Sequence, residues 1–342
     1  MASNTSTQVQ TCAAVSVATA DERAPTRRVD PATLLPIIFI GITLAMHLLI
    51  PNSSEIMSKP LPYLTLFLKV SLGLTAAFAV ISFFVPAFRK KYAFKSLFIA
   101  GVFMLLNIYN MITLKFPILP HLFFPYPDRV LAVFHKDWLF LLDCMANSGR
   151  LLFWGVFWGG LSGILTGITV GWNKRASYWI TPIIRFMGPI PSTALIPIAL
   201  VAFATTISAS IFLIAVAVWF PTTILTSSGI QNIEKGFFEV ASTLGAGSRL
   251  QILRVALPGA LPSMFVGLFN GTCTAFVALM AAEMTGVKSG IGWYIHWKRE
   301  VLAYPDVYAG LLIIAFSCWV IITGLFKARD HILKWQQGLI RW

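Results

Sequence analysis

Long apolar runs, separated by short polar and basic segments, organise this sequence from about residue 33 onward. A helix that crosses a bilayer needs about 20 mostly apolar residues, because lipid offers its backbone no hydrogen-bond partners. On that measure eight spanning helices are expected, at roughly 33–50, 62–86, 96–114, 147–171, 178–204, 209–227, 261–284 and 305–326. The first is short for a span. The residues before it, 1–32, are polar and rich in Ser, Thr and Ala. They lack the basic start and apolar stretch of a secretory signal and read as a disordered cytoplasmic tail.

Composition agrees with the pattern. The chain is 57% hydrophobic and 11% charged, with a mean hydropathy of +0.77, far from an ordinary soluble domain. Its formal charge of +13 raises the question of nucleic acid, but the basic residues sit at the ends of apolar runs, where they orient helices. With the N-terminus inside, 16 of the 26 Lys and Arg fall on the cytoplasmic side and seven on the other. That is the positive-inside bias with both termini cytoplasmic. Lys69, Arg150 and Arg185 lie within or at the edge of spans. Cys12, Cys144, Cys273 and Cys318 form no C-x-x-C pair or metal cluster. No G-x-x-x-x-G-K-[ST] loop is present, so the chain does not cradle ATP in that way. The histidines are scattered, and no catalytic Ser/His/Asp set suggests an enzyme.

The most informative polar stretch is Glu239–Pro258, EVASTLGAGSRLQILRVALP, which this orientation places in the cytoplasm. Small residues Ala241, Ser242 and Thr243 keep one helical turn slim, and Gly245 permits a sharp turn. Leu250, Leu253 and Leu257 give the next helix an apolar stripe, with Arg249 and Arg254 free to face water or acidic partners. Pro258 and Pro262 mark the entry to the following span. The layout resembles the signature of ABC-importer permeases: E-A-A, three residues, G, nine residues, I-x-L-P. Glu239, Ala241, Gly245, Val255, Leu257 and Pro258 occupy those places, with Val240 standing for Ala and Val255 for Ile.

From about Leu119 onward the chain further resembles the permeases of the nitrate/sulfonate/taurine importers. PYPDRVLAVF at 125–134, Ser148 with Arg150, TPIIRFMGPIPSTALIPIALVAF at 181–203, Ala282-Glu283-Met284 and GIGWYI at 290–295 carry that likeness. The tail LKWQQGLIRW adds to it. The resemblance implies an all-α polytopic protein of the inner (plasma) membrane, with a type I importer core and extra N-terminal helices. It divides the chain into accessory helices at 33–114, a periplasmic connector at 115–146, a core at 147–326 with a coupling loop at 228–260, and a cytoplasmic tail at 327–342. It also implies partners: cytoplasmic ATPase subunits that hydrolyse ATP, a periplasmic or lipid-anchored binding protein, a second permease copy, and lipid. No cofactor or nucleic acid is expected on this chain itself.

Glu239, Ala241, Gly245, Arg249, Leu257 and Pro258 are then expected to couple to the ATPase. The path is expected to involve Arg185, Pro189, Pro191, Pro197 and Glu283. Four prolines within residues 182–197 suit either a broken helix lining a path or a packed, kinked helix. Glu283 is expected at the outer end of its span, gating the mouth, pairing with Lys298 or Arg299, or lying as a plain interfacial charge. The implied solute is small and anionic, of the nitrate, bicarbonate, sulfonate or taurine type. The competing reading is a secondary transporter or channel, which would need coupling groups near the bilayer midplane.

Overall fold

The computed structural model describes residues 31–52 and 61–334. Residues 1–30 of the tail expected at 1–32, and the end of the basic tail, 335–342, lie outside the described residues. The chain divides into two compact units, Met1–Pro120 and His121–Trp342.

In the first unit, α1 (Leu35–Leu49), α2 (Tyr63–Phe84) and α3 (Pro86–Asn110) pack together. Ile40, Leu64 and Leu68 are fully buried, and the rings of Phe67 and Phe103 stack at 6.2 Å. A π-helical turn, Met111–Lys115, extends α3. Its wider radius carries Lys115 back over the end of α1, where the ammonium donates to the His47 carbonyl (2.7 Å) and to Asn52 Oδ1 (2.8 Å). A cation on the unsatisfied carbonyls of a helix C-terminus is favourable, and here it is buried with its partners supplied.

In the second unit, a short α4 (Pro127–Lys136) leads into α5 (Trp138–Trp172), a helix of 35 residues. Then come α6 (Lys174–Met187) and α7 (Ile196–Ala202), followed by α8 (Thr206–Gln231). Two short helices, α9 (Lys235–Thr243) and α10 (Ser248–Gln251), precede a π-turn (Ile252–Ala256) and α11 (Leu257–Thr285). The unit closes with α12 (Ile291–Glu300) and α13 (Tyr304–Ile332). Every described regular element of the chain is helical. Among the described residues, six helices are long and apolar enough to cross a membrane, and Leu35–Leu49 is a shorter apolar one.

The span expected at 178–204 is instead two arms bent by 89°, Lys174–Met187 and Ser192–Ala202. Gly188, Pro189 and Pro191 supply the break: a Cβ at Gly188 would collide with the Phe220 ring, and each proline removes a backbone donor. The span expected from 147 begins at Trp138. Asp143 lowers the local hydropathy without breaking the helix, and Asn147 Nδ2 bonds back to it at 3.3 Å.

The core of this unit is the seam between α5 and α8. Gly155, Gly159, Gly163, Gly167 and Gly171 fall every fourth residue on one stripe of α5. Opposite them stand Ile214, Val218, Thr222, Thr226 and Ile230, also every fourth residue. A Cβ at Gly163 would lie 2.8 Å from Thr222 Cβ, and one at Gly171 2.9 Å from Ile230 Cβ. Small residues let two membrane helices gain dispersion contacts along their whole length, which matters where lipid removes the hydrophobic drive between helices. The third helix joins in the same manner, with Gly267 and Gly271 of α11 against the backbone of Thr222 and Val218.

Candidate functional site

Three regions carry the sequence-predicted residues: a hairpin near the Trp172 end of α5, the break between α6 and α7, and the surroundings of Glu283. At the Trp172 end, α9 and α10 form an exposed helical hairpin hung from α8 and α11. Its turn is set by Gly245, at φ +80°. The Gly245 N–H donates to the Ser242 carbonyl (3.0 Å) and the Ala246 N–H to the Ala241 carbonyl (2.9 Å). This paired closure of a helix C-terminus requires a left-handed residue, which glycine adopts without a Cβ penalty. Gln251 locks the two arms, its Nε2 donating to Ser242 Oγ and to the Ala246 carbonyl, both at 2.9 Å. Sequence reasoning missed Gln251, whose partners lie across the turn. Glu239 is exposed, and among the described residues its carboxylate has no hydrogen bond or ion pair.

The base of the hairpin is fixed by an apolar cluster. Ile230, Ala256, Ala260 and Met264 are buried, with Trp172, Ile233, Phe238 and Leu257 packed on them. The π-turn at 252–256 relieves a conflict, since the Pro258 ring would strike the carbonyl of Arg254 in a regular helix. Arg249 and Arg254 are exposed, and so are the apolar side chains of Phe237, Val240, Leu244 (82% exposed) and Leu253. The hairpin therefore presents a slim, partly apolar and basic face that no described residue covers.

Within the unit, the break between α6 and α7 borders a cavity of about 400 Å³. Pro191, Thr193, Trp219 and Thr274 are among its lining residues. Pro221 inside α8 cannot donate to the Ala217 carbonyl, and the Thr274 hydroxyl of α11 donates to it instead at 2.9 Å. Below it, Trp219 Nε1 donates to Thr166 Oγ1 (3.0 Å), which shares a hydrogen bond with Thr223 Oγ1 (2.8 Å). Of the path residues expected from sequence, Pro191 lines this cavity, Pro189 lies in the turn, and Pro197 opens α7. Arg185 is exposed on α6.

Of the settings expected for Glu283, the ion pair and the plain interfacial charge are not what the structure shows. The residue is fully buried and pairs with neither Lys298 nor Arg299. Its Oε1 accepts from the Ser148 hydroxyl (2.6 Å) and its Oε2 from the Gly292 N–H (2.7 Å). The Ser148 oxygen in turn accepts from the Ile291 N–H (2.8 Å). This clasp ties α5, α11 and the start of α12 together through neutral donors. Gly290, at φ +132°, and Gly292 lie so close to the carboxylate that neither has room for a Cβ. Lys298 instead pairs with Asp306 at 2.7 Å, and Asp306 accepts from the Tyr294 hydroxyl at 2.9 Å. Burial first, and then the Asp306 carboxylate, push the Tyr294 hydroxyl well above the ordinary phenol range, so it stays a donor. Among the described residues no cluster of His, Cys, Asp or Glu is arranged to hold a metal.

Residues 159–335 match the family described as binding-protein-dependent transport system inner membrane component, and the chain belongs to that family. It is therefore a multi-pass membrane protein of a transport system. It is 31% identical over 157 residues to the taurine transport system permease protein of Escherichia coli (strain K12), covering 46% of this chain and 57% of that protein. It is 34% identical over 175 residues to the bicarbonate transport system permease protein of Synechococcus elongatus, covering 51% and 59%. The chain thus spans under two thirds of the length of these relatives. A solved structure of the MetNI methionine ABC transporter, in inward-facing conformations, superposes with a TM-score of 0.48 at 17% identity. That superposition covers 60% of this chain and 99% of the other.

Proposed function

We propose that this chain is the permease subunit of an ATP-driven importer for a small anionic solute. The observation that carries the reading is the exposed hairpin at 235–251. It is slim, internally locked, rooted on two spanning helices, and bears an uncovered apolar and basic face. Such a surface suits a groove on a soluble partner, and rigid roots pass a push from that partner into α8 and α11. The partner is an ATPase that binds and hydrolyses ATP in its own subunit, while a separate binding protein delivers the solute. Both termini and the hairpin face the cytoplasm on this reading, and two copies of the chain pair around the path. The taurine or bicarbonate class of solute follows from the similarity to permeases bearing those names.

Co-purification of the detergent-solubilised chain with its cognate ATPase tests the proposal. Gly245→Asp and Glu239→Lys are expected to abolish association or transport-coupled hydrolysis while the thermal midpoint of the permease stays within a few degrees of wild type. Transport with no ATPase bound, or full coupling in both variants, would replace this reading with a secondary carrier.

A further inference from the structure

The end of α5 remote from the hairpin opens on a second cavity, of about 560 Å³, formed with the start of α8 and the 286–289 segment. Arg150 lies 22 residues from Trp172, which at 1.5 Å per residue is about 33 Å, one hydrocarbon thickness from the hairpin end. Two cations line this cavity, Arg150 and Lys288, and no Asp or Glu does. Neither cation has a hydrogen bond or ion pair among the described residues; the pairs that do form use Lys298, Arg299 and Arg329. Asp143, on the same helix, accepts from Asn147 instead. Neutral donors (Asn147, Thr206 and Ser289) share the lining, while Trp154, Ile207 and Ile211 give it an apolar wall.

Two unpaired cations beside low-dielectric walls focus a positive field into the space between them. The walls also decide the kind of anion. A bare inorganic ion gains nothing from Trp154 or Ile211, whereas an oxoanion bearing a short apolar group uses both. We infer that this cavity is a vestibule for small organic oxoanions, with Arg150 and Lys288 holding the charged end and the apolar wall holding the rest.

Lys288 is placed for this role by the clasp already described. The 286–290 segment runs from the end of α11 to Gly290, where Glu283 and Ser148 fix the backbone of Ile291 and Gly292. Glu283 and Ser148 are thus positioning residues: they touch the loop, not the anion. The inference rests on the importer reading and deepens it by assigning the anionic solute a site on this chain, one that favours an organic over an inorganic member of that class. The site itself rests on this chain's own lining and does not require the ATPase.

The test uses the full chain in lipid nanodiscs, with methanesulfonate as the probe and tryptophan fluorescence as the readout, since Trp154 and Trp158 line the cavity. In phosphatidylcholine discs a saturable change is expected, absent from a Trp154→Phe/Trp158→Phe variant. Arg150→Gln and Lys288→Gln should each weaken the apparent affinity at least ~10-fold, as loss of one charge-assisted hydrogen bond predicts. Arg150→Lys should retain most of the affinity, which separates charge loss from misfolding. Nitrate should bind more weakly than methanesulfonate.

No saturable change in wild type, or wild-type affinity in both Gln variants, would overturn the vestibule. So would a change produced by phosphatidylglycerol discs alone that methanesulfonate does not displace, which would make the site a lipid-headgroup one. ATPase association is scored separately on the same preparations. Anion binding without association sinks the importer reading and spares the vestibule; association without anion binding does the reverse.

Discussion

Ser148 sits at the crossing of two hydrogen bonds, giving one to Glu283 and taking one from the Ile291 N–H. Removing its hydroxyl leaves a buried donor and one lobe of a buried carboxylate without partners. A group stranded in that way costs about 1–3 kcal/mol. Ser148→Ala is therefore expected to lower unfolding stability by about 2 kcal/mol, read from thermal or denaturant unfolding in detergent. Ser227→Ala is the control, because that exposed hydroxyl bonds only to its own helix at Ile224. No drop in Ser148→Ala relative to Ser227→Ala would mean that water or a shifted backbone replaces the hydroxyl. The same residues show where sequence reading falls short. A carboxylate near Lys298 and Arg299 invites an ion pair, yet its partners are a hydroxyl 135 positions away and a backbone amide. Neutral donors leave no charge pattern to read.

Element by element, the sequence was legible in proportion to how local each cause is. Apolar runs located the spans because hydropathy acts over one helix at a time. The turn at Gly245 was legible because a left-handed residue closing a helix is a local event. The crowding of prolines at 182–197 signalled trouble but not its form, since the 89° bend also depends on the Phe220 ring of another helix. The glycine stripe at 155–171 stands in the bare spacing, but its meaning depends on the helix that fills it, Ile214 to Ile230, 59 residues further along the chain. Thr274 was not readable at all: its role exists only because Pro221 of α8 leaves the Ala217 carbonyl free. That dependence makes a prediction at the scale of two helices. Thr274→Val should destabilise by about 1 kcal/mol in the native background. In a Pro221→Ala background, where the restored N–H can satisfy Ala217, the cost should largely vanish. A double-mutant cycle with zero coupling would remove Thr274 from the account of how α8 tolerates its proline.

For the whole molecule, the family match at 159–335 falls entirely within the second unit, and the first unit lies outside it. The clasp, the hairpin and both cavities are likewise built from second-unit residues. A chain starting at His121 is thus expected to remain monodisperse in detergent and to keep the ATPase association proposed above, measured by size exclusion and co-purification. Collapse of that fragment would show that the first three helices are needed for the fold of the rest. The glycine seam carries a further consequence, one for heredity. Glycine has no smaller neighbour in the genetic alphabet, so every change at those five α5 positions adds atoms and none removes them. The seam drifts in one direction only, toward overfilling, and α5 has no means of answering. Second-site revertants of such a change belong on the facing helix, where Ile214, Thr222, Thr226 and Ile230 have atoms to give up.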